Sequence, residues 1–300
     1  LIPHAVWYND RDVTFLPELS YRNPLYNEAL PDFNRFLARL NYLLQPAGRT
    51  VADIAVLYPI QTLQAGHYLD GPEGYYAGGV KIPDTDYIRV AAMLNDTLSR
   101  DFTYLHPEVL ERCPVRKGML HLDNKVNSQH YRVLILPGVR CISPECLRTA
   151  ERFRRAGGRV IFTTALPECS TQFGVPSAEV SARVQEMLTA RKNPALFLSD
   201  PDTGTLSKAL DAGFTPDVMV DGAPGLRYIH RVCGRRHIYY FANTGAETAE
   251  ATIRLRDRVK LRSFDPHTGQ SAPFEAETAP AGTRLNLTLP TVRSLFLVSE

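Results

Sequence analysis

The stretch Arg132 to Ala165, RVLILPGVRCISPECLRTAERFRRAGGRVIFTTA, decides how the rest of the chain is read. It opens on Val133-Leu134-Ile135-Leu136, apolar at every position, and breaks at Pro137-Gly138. A strand without polar alternation is buried on both faces, which marks a parallel sheet. Ser143 then offers a hydroxyl N-cap, and Pro144 stands at the first helical position, where its missing N–H costs nothing. Cys146, Leu147, Ala150 and Phe153 recur at helical spacing, and Gly157-Gly158 supplies the left-handed C-cap. A second apolar run, Val160-Ile161-Phe162, follows at once. The spacing predicts a strand–helix–strand crossover whose helix covers a parallel sheet. Arg152, Arg154 and Arg155 fall on the outer side of that helix and read as a solvated face.

Upstream, Leu1 to Tyr8 reads as a short strand with no partner before it. Asp32 to Gln45 carries Phe33, Phe36, Leu37, Leu40, Leu43 and Leu44 on one face, with Arg35 and Arg39 opposite, which predicts an amphipathic helix. Ala52 to Tyr58 is a strand, apolar apart from Asp53. Gly66 to Pro83, rich in Gly, Tyr and Pro, reads as a long surface loop of the kind that carries function. Thr85 to Arg100 is a second amphipathic helix with Ile88, Ala91, Ala92, Leu98 and, in part, Leu94 inward. Phe102 to Leu105, Pro107 to Arg112 and Gly118 to Leu122 read as strand, helix and strand.

Downstream, a helix over 177–190, a strand over 195–198 and a helix over 203–212 continue the alternation to about Val220. Alternating strand and helix describes a flavodoxin-like or Rossmann-like domain. From Leu226 no helical period survives. Short strands follow, with turns at Cys233-Gly234, Asn243-Thr244-Gly245 and Asp265 to Gly269, and this pattern predicts an antiparallel β-sandwich. The expected fold class is therefore α/β, a parallel-sheet domain followed by a C-terminal sandwich. The expected division is 1–50, 51–222 and 223–300.

A hydrophobic fraction of 44% and a charged fraction of 22% are ordinary for a globular chain, and a net charge of +2 points to neither nucleic acid nor membrane as a partner. No apolar run approaches the roughly 20 residues of a membrane span. No signal peptide is visible, and a start at Leu1 reads as a cut inside a longer protein. The five cysteines are scattered without C-x-x-C, so neither a zinc ribbon nor a disulfide framework is expected. Two sites, Asn95-Asp96-Thr97 and Asn286-Leu287-Thr288, match the glycosylation sequon.

Chemistry is sought first at the carboxyl ends of the parallel strands, in the loops after Tyr58, Gly138 and Ala165. No phosphate-cradling glycine motif occurs there. Cys141, Cys146 and Cys169 lack the glycine-flanked elbow of a nucleophile and read as buried or simply exposed side chains. The eight histidines never form H-x-x-x-H. His121 and Asp123 share a strand face but are too few for a metal, so no metal or other cofactor is expected. Glycoside hydrolysis needs two carboxyl groups roughly 5 to 9.5 Å apart. The N-terminal candidates Asp10, Asp12, Glu18 and Glu28 stand on no apolar strand end. His4 and Trp7, on the first strand, could face a sugar. Tyr75 and Tyr76, beside Asp70 and Glu73, offer the aromatic and acidic groups that stack on and hydrogen-bond to one.

Taken in order, Ile2-Pro3-His4, Leu19 to Pro24, the helix from Phe36 to Leu44 and Ala52 to Pro59 resemble the region leaving the catalytic barrel of α-L-rhamnosidase-like glycoside hydrolases. VLILPG…AGGRVIF resembles the amidotransferase-like domain that follows the barrel there and in several β-galactosidases. Tyr239 to Asn243 and Phe264 to Gly269 are similar to their C-terminal β-sandwich. In that family the catalytic carboxylates precede the matching region, so the resemblance carries over no catalytic residue. It implies a non-catalytic C-terminal portion acting, within a longer enzyme, on plant or microbial polysaccharide. The first 50 residues would be the remnant of its barrel, whose missing part would be the chain's partner. A carbohydrate-binding or oligomerisation module of a β-galactosidase-like glycosidase is the alternative, with carbohydrate or a second copy of the chain as partner. The resemblance also suggests a periplasmic or secreted location.

Overall fold

The computed structural model describes residues 27–45, 48–66, 68–69, 80–81, 85–122, 128–212 and 215–300. The chain enters through helix α1 (Leu30–Leu44) and strand β1 (Arg49–Thr50). It then alternates β2 (Ile54–Leu57), α2 (Ile60–Gly66), α3 (Tyr87–Ala92), β3 (Phe102–Leu105), α4 (Pro107–Arg112) and β4 (Val133–Pro137). The crossover follows with α5 (Pro144–Arg155) and β5 (Arg159–Thr163), and then α6 (Ser177–Leu188), β6 (Leu196–Leu198) and α7 (Thr203–Asp211).

Strands β2 to β6 form one parallel sheet in the order β6-β5-β4-β2-β3. Every residue of β2 and β4 is buried, as their unbroken apolar runs require. Alternate residues feed two cores. Leu57, Leu134, Leu136 and Phe162 meet α4, α5 and α6 on one face. Ile54, Val56, Val133, Ile135 and Ile161 meet α3 and α7 on the other. The α5 cap forms as its sequence predicts, with the Cys146 N–H donating to Ser143 Oγ at 3.1 Å. At its other end Gly157 takes φ +102°, and a Cβ on Gly158 would stand 1.9 Å from the Phe153 ring. Only glycine allows the chain to turn that closely under Phe153 and enter β5.

Some expectations shift. Arg154 is buried, not solvated, because its guanidinium donates to the Lys192 and Asn193 carbonyls at 2.9 and 3.0 Å. The buried stripe of the helix after Thr85 runs through Val90 and Leu94 and leaves Ile88 exposed; the helix widens into a π turn over Met93–Thr97. Met119–His121, within the stretch expected as a strand, pairs with Val115–Arg116 and His130–Tyr131 in a small antiparallel sheet. No helix of the described residues is long and apolar enough to cross a membrane.

The remaining strands are β7 (Val218–Asp221), β8 (Leu226–Cys233), β9 (Arg236–Asn243), β10 (Ala249–Leu255) and β11 (Leu261–Phe264). After them come β12 (Ser271–Phe274), β13 (Glu277–Ala279), β14 (Gly282–Leu289) and β15 (Ser294–Ser299). They build two antiparallel sheets, β1-β8-β9-β15-β11-β12 and β7-β10-β14-β13. Alternate side chains of both sheets, among them Leu226, Phe241, Leu297, Ile253 and Leu287, share one core. Strand β7 pairs with β10 instead of extending the alternating strand–helix run.

The N-terminal helix is also built into this part of the molecule. Leu37 and Leu40 of α1 sit on Ile238 and Phe296 on the outer face of the six-stranded sheet. Arg39, expected to point outward, donates to the carbonyls of Pro266 and His267 at 3.0 and 2.9 Å. Strand β1 adds to the edge of that sheet beside β8.

Candidate functional site

The carboxyl ends of β2, β3 and β4 are packed with the protein's own groups. Tyr58, Tyr87 and Tyr104 meet edge to face at centroid separations of 5.6 to 6.2 Å. Tyr104 donates to the Tyr87 carbonyl at 3.1 Å; burial, then the neighbouring phenols, raise its pKa. Gly138 takes φ +54° where a Cβ would stand 2.9 Å from the Thr85 backbone. Asp86 accepts a hydrogen bond from Thr163 Oγ1 at 2.9 Å.

Beyond these strand ends, Cys141–Ile142 pairs with Cys169–Ser170, and a disulfide joins Cys141 to Cys169 across that pair. The expectation of no disulfide is thus corrected. The two cysteines are 28 residues apart in sequence, and the sheet, which brings the exits of β4 and β5 together, makes them neighbours. Cys146 is buried in α5, and burial pushes its thiol up to about 12, far from a thiolate nucleophile.

The amino-terminal edge of the parallel sheet is different in kind. Asp53, Asp101 and Arg132 each stand one residue before a strand. They face one end of the paired antiparallel sheets. Arg256 reaches across, with Nη1 2.6 Å from Asp53 Oδ2 and Nη2 3.4 Å from Asp217 Oδ1. Arg132 Nε lies 3.3 Å from the other Asp53 oxygen. Asp101 receives the Phe102 N–H at 2.9 Å, and its own N–H donates to the Tyr228 hydroxyl at 3.3 Å. Burial raises the Asp101 carboxyl to about 7.

Inside that end of the two-sheet core the inward face of the hairpin β8–β9 turns from apolar to polar. Leu226, Tyr228 and His230 alternate along β8, and Phe241 and Tyr239 stand opposite Tyr228 and His230 on β9. His230 is fully buried and stacks on Tyr239 at 4.0 Å. Its Nδ1 lies 2.8 Å from Asp217 Oδ2, and its Nε2 lies 3.1 Å from His237 Nδ1. His237 Nδ1 is in turn 3.2 Å from Asp257 Oδ2, which also accepts from the Tyr239 hydroxyl at 3.3 Å. The His237 hydrogen bond is the main cause holding the Asp257 carboxyl down at about 2. His230, His237 and Asp257 each present one donor atom within 4.8 Å of the others, a group the sequence reading did not single out. No H-x-x-x-H marks them because they come from two strands and a following loop. The available signal was histidine in place of an apolar residue at alternating positions 226, 228 and 230.

The sequence-expected sugar contacts His4, Trp7, Tyr75 and Tyr76 lie outside the described residues, as do Asp10, Asp12 and Glu18. Glu28 is exposed just before α1. A cleft of about 510 Å³ beside α1 is lined by Tyr42, Arg235, Arg236 and Glu300, and one of about 390 Å³ near the disulfide by Arg140, Thr164 and Glu168. Each holds a single acid, and Glu168 is paired with Arg140 at 3.2 Å. Neither presents the two carboxyl groups that glycosidic cleavage uses.

A family model described as alpha-L-rhamnosidase matches residues 14–277. No curated protein matches the chain significantly. Among solved structures, a rhamnosidase from Novosphingobium sp. PP1Y is similar over 91% of this chain and 25% of its own, at TM-score 0.64 and 18% identity. A β-galactosidase from Bacillus circulans sp. alkalophilus is similar over 94% and 46%, at TM-score 0.57 and 15% identity. Alpha-L-fucosidase isoenzyme 2 from Paenibacillus thiaminolyticus is similar over 92% and 52%, at TM-score 0.55 and 11% identity. The chain thus spans about a quarter to a half of the length of these proteins. At such identities the likeness concerns the fold.

Proposed function

The chain belongs to the alpha-L-rhamnosidase family, and from that premise we propose that it is the non-catalytic C-terminal portion of a longer glycoside hydrolase. In this reading the parallel sheet is a flavodoxin-like, amidotransferase-like domain without a nucleophile. The paired antiparallel sheets are a β-sandwich bolted to it. Together they brace a catalytic barrel that acts on a rhamnose-containing plant or microbial polysaccharide.

The observation that carries this reading is the charged seam. Asp53, Arg132, Asp217 and Arg256 hold one another across the junction, so the carboxylates of Asp53 and Asp217 serve attachment instead of chemistry. The disulfide Cys141–Cys169 supports an oxidising location such as the periplasm or the exterior.

The test is turnover of aryl-rhamnosides and aryl-galactosides. The 300-residue chain is expected to show none, and the longer protein to retain activity when the cleft acids Glu168 or Glu300 are changed to Gln in folded variants. Hydrolysis by the chain alone, abolished by changing one of its own carboxylates, would refute the proposal.

A further inference from the structure

We propose that His230, His237 and Asp257 form a binding site for one Zn²⁺ ion, or a first-row divalent ion of similar preference, that clamps the two antiparallel sheets together at the seam. Tetrahedral zinc with nitrogen or oxygen ligands at roughly 2.0–2.1 Å places its donor atoms about 3.3 Å apart. The separations of 3.1 Å between His230 Nε2 and His237 Nδ1, and of 3.2 Å between His237 Nδ1 and Asp257 Oδ2, come close to such edges. The third separation, within 4.8 Å, closes by rotation of the Asp257 carboxylate, whose side chain is about a third exposed.

The surroundings match what zinc ligands ordinarily have. A ligating histidine donates its other ring N–H to a carboxylate, which fixes the tautomer and aims the free lone pair at the metal. Asp217 does this for His230, at 2.8 Å from Nδ1 with both side chains buried. The Tyr239 hydroxyl does the equivalent for Asp257. The carboxylates of Asp53, Asp217 and Asp257 face the guanidinium groups of Arg49, Arg132 and Arg256 across this end, so the charges balance before an ion binds. His237 and Asp257 are partly exposed, so an ion can reach the site and keep a water as fourth ligand.

The ion would have a mechanical task. His230 and His237 belong to the six-stranded sheet, and Asp257 follows β10 of the four-stranded one. Asp257 is also adjacent in sequence to Arg256, which grips Asp53. A bound cation would thereby fix both sheets and the arginine that docks them on the parallel sheet.

The experiment titrates the chelator-stripped 300-residue chain with Zn²⁺ and with Co²⁺. Readouts are calorimetry, the visible absorption of four- or five-coordinate Co²⁺, and thermal unfolding. Expected are one ion per chain and a rise in Tm of about 5 °C at saturation, the scale set by ligand linkage. His237→Gln and Asp257→Asn should each weaken binding by at least about tenfold. These two are chosen because His230→Asn, at a fully buried position, could fail to fold. His130→Gln alters another histidine pair, whose rings lie 5.6 Å apart against His121, and should leave binding unchanged. No uptake by the stripped chain, or affinity unaltered in both His237→Gln and Asp257→Asn, overturns the proposal. So does loss of the ion in His130→Gln with retention in those two.

Discussion

Replacing Arg256 with Met tests the seam most directly, because the methylene stem keeps its packing while the charge is removed. Breaking a buried ion pair by deleting one partner costs about 3–5 kcal/mol, since the other charge is left uncompensated. Two features reduce that here. Arg256 is about a quarter exposed, and Asp53 keeps Arg132 at 3.3 Å while Asp217 keeps His230 at 2.8 Å. Against them stands the lost hydrogen bond from Arg256 to the Thr215 carbonyl at 3.1 Å. The net expectation is a loss of about 2–3 kcal/mol, discounted for solvent screening. At 2–4 °C per kcal/mol that lowers Tm by about 5–10 °C. Calorimetry on Arg256→Met, Asp53→Asn and the double variant gives the coupling between the two side chains, expected at about 1.5 kcal/mol. The thermal transition should also broaden or split, because the parallel sheet and the paired antiparallel sheets lose a shared fastening. A coupling below about 0.5 kcal/mol with a single unchanged transition would mean the seam is only a surface ion pair in effect, and the reasoning fails.

Three further outcomes are expected. Changing Cys141 and Cys169 to Ser removes a crosslink spanning 28 residues, which by loop-closure entropy costs about 3–4 kcal/mol; urea unfolding with and without reductant checks it, and a reductant-insensitive midpoint in the parent would contradict it. Asp101 has a folded pKa raised to about 7 by burial, so its stabilising contribution is complete below the free carboxylate range and lost as pH rises through about 7. Asp101→Asn should therefore match the parent near pH 4 and exceed it by about 2 kcal/mol at pH 8, a figure set below the full linkage value because the residue is partly exposed; the Tm difference at the two pH values decides. Leu40→Ala, at a buried contact of α1 with Phe296, should cost about 2–3 kcal/mol and expose the segment around residues 30–44 to proteolysis before the sheets unfold.

The parallel sheet was legible in the sequence because burial on both faces leaves a one-dimensional trace, the unbroken runs Val133 to Leu136 and Val160 to Phe162. The antiparallel strands were legible for the complementary reason, alternation between turns. What stayed hidden was whatever depends on which elements meet. Nothing local in Arg39 distinguishes an outward arginine from one that caps the carbonyls of Pro266 and His267, 227 and 228 residues away. Arg154 and the Cys141–Cys169 pair were hidden likewise. Val218 to Asp221 could be read as the last strand of either body, and its antiparallel pairing with Thr252 to Leu255 settles which. The His230–His237–Asp257 group was half visible, since two of its members sit on alternating positions of one hairpin, but the third arrives from the other sheet.

The placement of charge along the parallel sheet has a physical logic of its own. Ligands of such a sheet bind outside the carboxyl ends of its strands, so polar residues just before each strand are free to serve another surface. Asp53, Asp101 and Arg132 all take that position, and the polar end of the paired sheets supplies Arg256, Asp217 and Tyr228 to meet them. A junction made of apolar groups would have tolerated sliding, because dispersion contacts lack direction. Charged groups at 2.6 to 3.4 Å do not, and each unmet partner carries a desolvation cost that favours one relative placement. Rigidity of that kind suits a brace for a neighbouring catalytic domain, where a displacement of about 1 Å in a supporting element can cost a hundredfold in rate. It follows that Arg256→Met in the longer enzyme should lower kcat more than it raises KM, although no atom of Arg256 need approach the sugar. An Arg256→Met enzyme with kcat intact and only its Tm lowered would show that the seam stabilises this portion without positioning the catalytic one.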